Sequence, residues 1–141
     1  MKKLILMGRV AAGKTTLTQA LKGEQLHYCK TQYINYTDTI IDTPGEYTEV
    51  HTLGAALALY SYEADVIGLV ISANEPFCVF PPHCTYHVNR DSIGIITGID
   101  KPDANVPQAE LWLRNCGCKR IFHVSSYTGE GLDRIIDYLN T

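Results

Sequence analysis

Eight consecutive residues, Gly8-Arg9-Val10-Ala11-Ala12-Gly13-Lys14-Thr15, match the pattern G-x-x-x-x-G-K-[ST]. Glycines in that pattern let the backbone turn tightly and aim its N–H groups at phosphate oxygens, and the helix that follows adds positive potential from its first turn. The spacing assigns Gly8, Arg9, Val10, Ala11, Ala12, Gly13, Lys14, Thr15 and Thr16 to the binding of a nucleotide's phosphates. Lys14 is placed to reach the terminal phosphates and is the first catalytic candidate. Thr15 is expected to offer its hydroxyl to Mg²⁺, a hard cation that keeps several waters and takes few protein oxygens. Arg9 is read as a binding residue only, because an exposed loop arginine is more often solvated than catalytic.

A second constellation is Asp42-Thr43-Pro44-Gly45, directly after an apolar stretch. A carboxylate there can act on the magnesium shell, and the Gly45 N–H can meet a γ-phosphate. Cys78, His83, Cys84 and His87 put four soft-metal ligands within ten residues. Their spacing fits no common zinc pattern, so they are read as loop and core side chains. Cys116 and Cys118 are read as structural too, and no disulfide is expected among the five cysteines.

These residues need a scaffold that brings loops together. Leu4 to Met7 is a continuous apolar run ending at Gly8, the pattern of a strand buried on both faces. Leu17, Ala20 and Leu21 give the following segment a helical stripe, and Gly23 is expected to end it. Gln32 to Ile41 alternates around Asn35 to Asp38 and predicts a hairpin-like pair of strands. His51 to Ala64 reads as a helix, Val66 to Ile71 as a second buried strand and Ile93 to Thr97 as a third apolar run. Pro107 suits a first helical turn, with Ala109, Trp112, Leu113 and Cys116 on one stripe and Gly117 as the stop. Ile121 to Val124 predicts a strand, and Leu132, Ile135, Ile136 and Leu139 mark a closing helix. Asn74 to Asp91 reads as an irregular insert.

At 141 residues the chain has the size of one domain, and 1–141 is expected to form a single unit. Hydrophobic residues at 45% and charged residues at 19% belong to an ordered globular chain. A net charge of -3 gives no electrostatic footprint for nucleic acid or anionic lipid, so neither is expected as a partner. Met1 to Met7 is too short for a signal segment or a membrane span, and a cytoplasmic location is expected.

Taken in order, the phosphate loop, a lone threonine, Asp42-Thr43-Pro44-Gly45, Thr97-Gly98-Ile99-Asp100 and Ser125-Ser126 resemble the sequence boxes of the small GTPase superfamily. The resemblance implies that Thr31 completes the magnesium shell beside Asp42 and Thr15, with Thr37 and Thr39 as alternatives. It implies that Asp100 accepts two hydrogen bonds from a guanine edge, although Gly98 stands where the superfamily carries a lysine. Thr97, Ser125 and Ser126 complete the expected base site, and Ser125-Ser126 is followed by Tyr127-Thr128-Gly129-Glu130-Gly131. Glu46, just after Gly45, stands where small GTPases carry a water-orienting glutamine and is the second catalytic candidate. Its charge would repel the γ-phosphate, so slow hydrolysis is expected.

A closer resemblance is to the ethanolamine-utilization EutP and propanediol-utilization PduV family, carried by Lys30-Thr31-Gln32, Ile40 to Tyr47 and Phe80-Pro81-Pro82. It implies a three-layer α/β P-loop NTPase fold of small GTPase type, with helices flanking a mostly parallel central sheet. About six strands are expected, one of them antiparallel. GTP or GDP with Mg²⁺ are the expected ligands, and ATP stays open because of Gly98. Bacterial microcompartment shell or enzyme proteins are the implied partners. The alternative function is an ATP-dependent small-metabolite kinase that phosphorylates a short carboxylate such as acetate.

Overall fold

A computed structural model describes residues 2–8, 13–31, 40–42, 64–74, 80 and 90–140. In chain order the elements are β1 (Leu4–Met7), α1 (Lys14–Thr31), β2 (Ile40–Asp42), β3 (Val66–Ser72), β4 (Asp91–Thr97), α2 (Val106–Asn115), β5 (Arg120–His123) and α3 (Leu132–Leu139). The five strands form one sheet in the order β2-β1-β3-β4-β5, and every described pairing is parallel. The expected antiparallel strand falls on 32–39, outside the described residues. So do most of the expected helix from His51, nearly all of the insert between Asn74 and Asp91, and the cluster Cys78, His83, Cys84 and His87.

Alternate residues along the strands divide the core into two layers, because successive side chains on a strand point to opposite faces. Ile5, Met7, Ile67, Leu69, Ile71 and Ile96 pack with Ala109 and Leu113 of α2 and with Cys116, the residue that caps its end. Leu4, Leu6, Val66, Val70, Ile93 and Ile95 pack with Leu17 and Leu21 of α1 and with Leu132, Ile135, Ile136 and Leu139 of α3. Parallel strands buried on both faces explain why β1 and β3 are apolar without alternation. Right-handed crossovers account for the helix placement: the chain steps one way from β1 to β2 and the other way from β4 to β5, so α1 and α2 lie on opposite faces.

The stripes expected for α2 and α3 are the buried ones. Asn105 caps α2 by accepting the Gln108 N–H through its side chain at 3.3 Å. At the other end, Gly117 donates to Arg114 and Cys118 donates to Leu113, at 3.1 and 3.2 Å, and these paired bonds close the helix as expected. Cys116 and Cys118 are buried and form no disulfide.

Helix α1 departs from the expectation. It continues through Gly23 to Thr31, so Thr31 is its last residue rather than part of a connecting loop. A glycine inside a helix costs only about 1 kcal/mol. Packing of α1 against β2 and α3, with Leu21 and Gln25 buried, outweighs that. β5 begins at Arg120, one residue earlier than expected, and Val124 still donates to Ile96 at 2.9 Å.

At the amino-terminal edge of the sheet, the Tyr138 ring lies 5.8 Å from Phe122, with Lys2 Nζ and the Arg120 guanidinium each 5.3 Å from its centroid. Burial, helped by the negative charge of Asp91 and opposed by Arg120, raises the Tyr138 hydroxyl above its usual pKa of 10.0.

Candidate nucleotide site

The chain order reverses around β1: β2 lies on one side and β3 on the other. Ligands of open parallel sheets settle at the carboxyl ends of the strands at such a switch point. The expected phosphate loop starts there. A Cβ on Gly8 would lie 2.8 Å from the Val70 carbonyl oxygen and 3.2 Å from Val70 Cβ, so only glycine lets the chain leave β1 this close to β3. Residues 9–12, the middle of the loop with Arg9, Val10, Ala11 and Ala12, lie outside the described residues.

The loop re-enters at Gly13, with φ 76°, and runs straight into α1. Lys14, the first residue of that helix, is only 5% exposed, so its charge is held against the protein rather than spread into solvent. Thr18 donates its hydroxyl to the Lys14 carbonyl at 2.8 Å, and Leu17 donates to Gly13 at 2.9 Å, which locks the first turn. Thr15 and Thr16 stay exposed on that turn. An 18-residue helix begins at this point, so its first-turn N–H groups and dipole favour an anion.

Asp42 ends β2 in register with Leu6 of β1, two residues before Gly8. Its backbone therefore stands beside the segment that leads into Gly8. Gly45 and Glu46 lie outside the described residues, as do Thr37 and Thr39. Thr31 is described only as helical backbone, at the far end of α1 from Lys14.

The fourth box sits on the same edge. Thr97 is buried at the end of β4, and its carbonyl accepts the Ala73 N–H at 2.8 Å. Its hydroxyl oxygen lies 3.8 Å from where a Gly13 Cβ would be, which places the end of β4 against the last glycine of the phosphate loop. After Thr97 the chain turns at Gly98, with φ 68°, and Lys101 donates back to Gly98 at 3.0 Å. Asp100 is exposed on this turn.

The fifth box is organised around the fully buried Ser125. Its N–H donates to Glu130 at 3.0 Å, its carbonyl accepts from Gly129 at 2.9 Å, and its hydroxyl accepts from Thr128 at 3.3 Å. The loop is thereby fixed by local bonds, with Ser126 half-buried and Tyr127 83% exposed.

A cleft of about 80 Å³ joins the three segments, lined by Gly13 and Thr16, by Thr97, Gly98 and Lys101, and by Ser126 and Tyr127. Of the expected residues, the structure thus brings together Gly13, Thr16, Thr97 and Ser126. Ser125 braces the fifth box from beneath, and Asp100 stands on the neighbouring turn. Lys101 and Tyr127 were not anticipated from the sequence. The available signals were a lysine immediately after the fourth-box aspartate and an aromatic residue inside a polar loop. Among the described residues, no group of three His, Cys, Asp or Glu side chains gathers as a metal site.

The family model described as ethanolamine utilisation and propanediol utilisation, PduV-EutP, matches residues 1–141. This chain belongs to the PduV-EutP family. It is 42% identical to propanediol utilization protein PduV of Citrobacter freundii over 144 residues, covering 99% of this chain and 94% of that one. It is 33% identical to the probable acetate kinase EutP of Escherichia coli strain K12 over 142 residues, covering 99% and 89%. Among solved structures, translation elongation factor SelB of Methanococcus maripaludis in complex with the GTP analogue GppNHp matches with a TM-score of 0.65 at 21% identity, covering 99% of this chain and 34% of that one. The likeness to SelB is one of fold, and this PduV-EutP chain shares with it an α/β architecture of a parallel sheet flanked by helices. No helix among the described residues is long and apolar enough to cross a membrane.

Proposed function

We propose that residues 1–141 form one guanine-nucleotide-binding domain that holds GDP or GTP with Mg²⁺ and hydrolyses GTP slowly in propanediol or ethanolamine utilization. The observation that carries this reading is the convergence of Gly13, Thr16, Thr97 and Ser126, from three separate boxes, on one cleft at the switch point of the sheet. In this reading, phosphates lie on the first turn of α1, and Lys14 neutralises their charge. Thr15 and Asp42 hold Mg²⁺, which would supply charge neutralisation between the phosphates. Asp100 accepts from the guanine edge, and the fifth-box backbone around Ser125 and Ser126 meets the base. Two acceptor oxygens on one carboxylate suit adjacent N–H donors on guanine and repel the acceptor pattern of adenine.

The biological output is a change of loop order passed to a protein partner in the cytoplasm, with microcompartment shell or enzyme proteins as the proposed class. Calorimetric titration with GDP, GTP, ADP and ATP in magnesium, on wild type and Asp100→Ala, tests this. Guanine binding that weakens in Asp100→Ala supports it. Adenine binding indifferent to Asp100 sinks it.

A second reading is favoured by the EutP relative of Escherichia coli, a probable acetate kinase. In that reading the same phosphate loop delivers the γ-phosphoryl group of ATP to a short carboxylate. A phosphorylated product that forms only when acetate is added would support it, and nucleotide turnover indifferent to acetate would dismiss it.

A further inference from the structure

Gly98 leaves a gap in the cleft wall where a fourth-box side chain would stand, and the structure fills that gap from elsewhere. A Cβ on Gly98 would lie 3.1 Å from both Cδ and Cε of Lys101 and 3.5 Å from its Nζ. The turn closed by the Lys101-to-Gly98 hydrogen bond folds the lysine stem back across the glycine, so the methylenes cover the Gly98 backbone and the ammonium stays at the cleft. The same cleft is lined by Tyr127, a residue that is 83% exposed. An aromatic ring this exposed on a loop already fixed by Ser125 gains nothing from the core. It is pre-organised to cover a flat apolar surface brought by a ligand.

We propose that Lys101 and Tyr127 form a clamp for the purine ring of the nucleotide, with the Lys101 stem replacing the missing residue-98 side chain as one wall and the Tyr127 ring as the other. The inference rests on the nucleotide reading of this cleft. A methylene stem carrying a cation and an aromatic ring both engage the π-face of a base rather than its edge. The clamp therefore contributes affinity for either purine, whereas the choice of guanine belongs to Asp100.

The test is calorimetric titration of the whole chain with GDP and, separately, with inorganic pyrophosphate, both in magnesium. Wild type, Lys101→Ala, Lys101→Met and Tyr127→Ala are compared, with thermal unfolding as the check that each variant folds. Both side chains are exposed, so unfolding midpoints should stay near wild type. Lys101→Ala and Tyr127→Ala should each weaken GDP by about tenfold and leave pyrophosphate binding unchanged, and Lys101→Met should recover most of the loss through its retained stem. GDP binding unchanged in either alanine variant, or an equal loss for pyrophosphate, overturns the clamp while leaving the nucleotide reading intact. A wild-type chain that binds pyrophosphate and not GDP overturns both.

Discussion

Two glycines in the fifth-box loop share one backbone conformation and differ in what surrounds them. Gly129 has φ 82° and nothing within 4 Å of the position its Cβ would take. Gly131 has φ 84°, and its Cβ would lie 2.1 Å from the His123 carbonyl oxygen and 3.1 Å from Val124 Cγ1. Replacing Gly129 with alanine should therefore cost only the left-handed penalty, about 1–2 kcal/mol. Replacing Gly131 should cost that penalty and add an overpacking cost of about 1–3 kcal/mol, because β5 or the start of α3 must shift. At roughly 3 °C per kcal/mol for a chain of this size, Gly129→Ala should lower the unfolding midpoint by about 3–6 °C and Gly131→Ala by about 6–15 °C. Scanning calorimetry on both variants at one pH reads the difference directly. Equal midpoints for the two variants would refute the claim that contact with β5, rather than backbone angle alone, fixes glycine at 131.

Three further outcomes follow from other contacts. Asn105→Ala removes the side-chain cap on the Gln108 N–H and should destabilise the chain by about 1 kcal/mol, with Asn105→Ser retaining most of it, as urea unfolding would show. Because the folded-state pKa of Tyr138 lies above its usual 10.0, its contribution to stability is complete below that value and is lost as pH rises through the folded-state pKa. Tyr138→Phe should therefore flatten part of the alkaline decline in urea midpoint, and an unchanged slope above about pH 10 would contradict the assignment. Lys14→Ala removes the buried cation at the start of α1 and should abolish measurable nucleotide binding, read by calorimetry, without shifting the base-site loops.

The parts of this molecule most legible from sequence are those whose environment is uniform along the element. β1 and β3 are covered on both faces, so burial alone dictates their composition, and the runs Leu4 to Met7 and Val66 to Ile71 announce them. α2 and α3 each have one covered face, which writes a clear stripe. α1 was harder to read because Gly23 resembles a stop, and the packing that overrides it comes from other elements, β2 and α3, that a local reading of the helix does not include. The segments at Gly13, Thr97 and Ser126 could be singled out in advance because the motifs that name them depend on residue type at fixed spacing, and the structure brings these three to one cleft. Lys101 could not be, because a motif assigns a function to a slot, whereas the turn at Gly98 lets a residue three positions later occupy the space of that slot. Tyr127 was missed for a related reason: only the folded loop shows that its ring stays outside the core and beside the cleft.

The central claim is that a guanine nucleotide occupies the carboxyl-end cleft between the phosphate loop and the fourth and fifth boxes. Native-state hydrogen exchange with and without saturating GDP and magnesium tests it most directly, because it reports position along the chain as well as binding. Added protection is expected at Gly13 to Leu17, Thr97 to Lys101 and Ser125 to Gly131, with little change around Lys2, Arg120 and Tyr138 at the opposite edge. Protection confined to that opposite edge, or absent from all three cleft segments while GDP is bound, would contradict it.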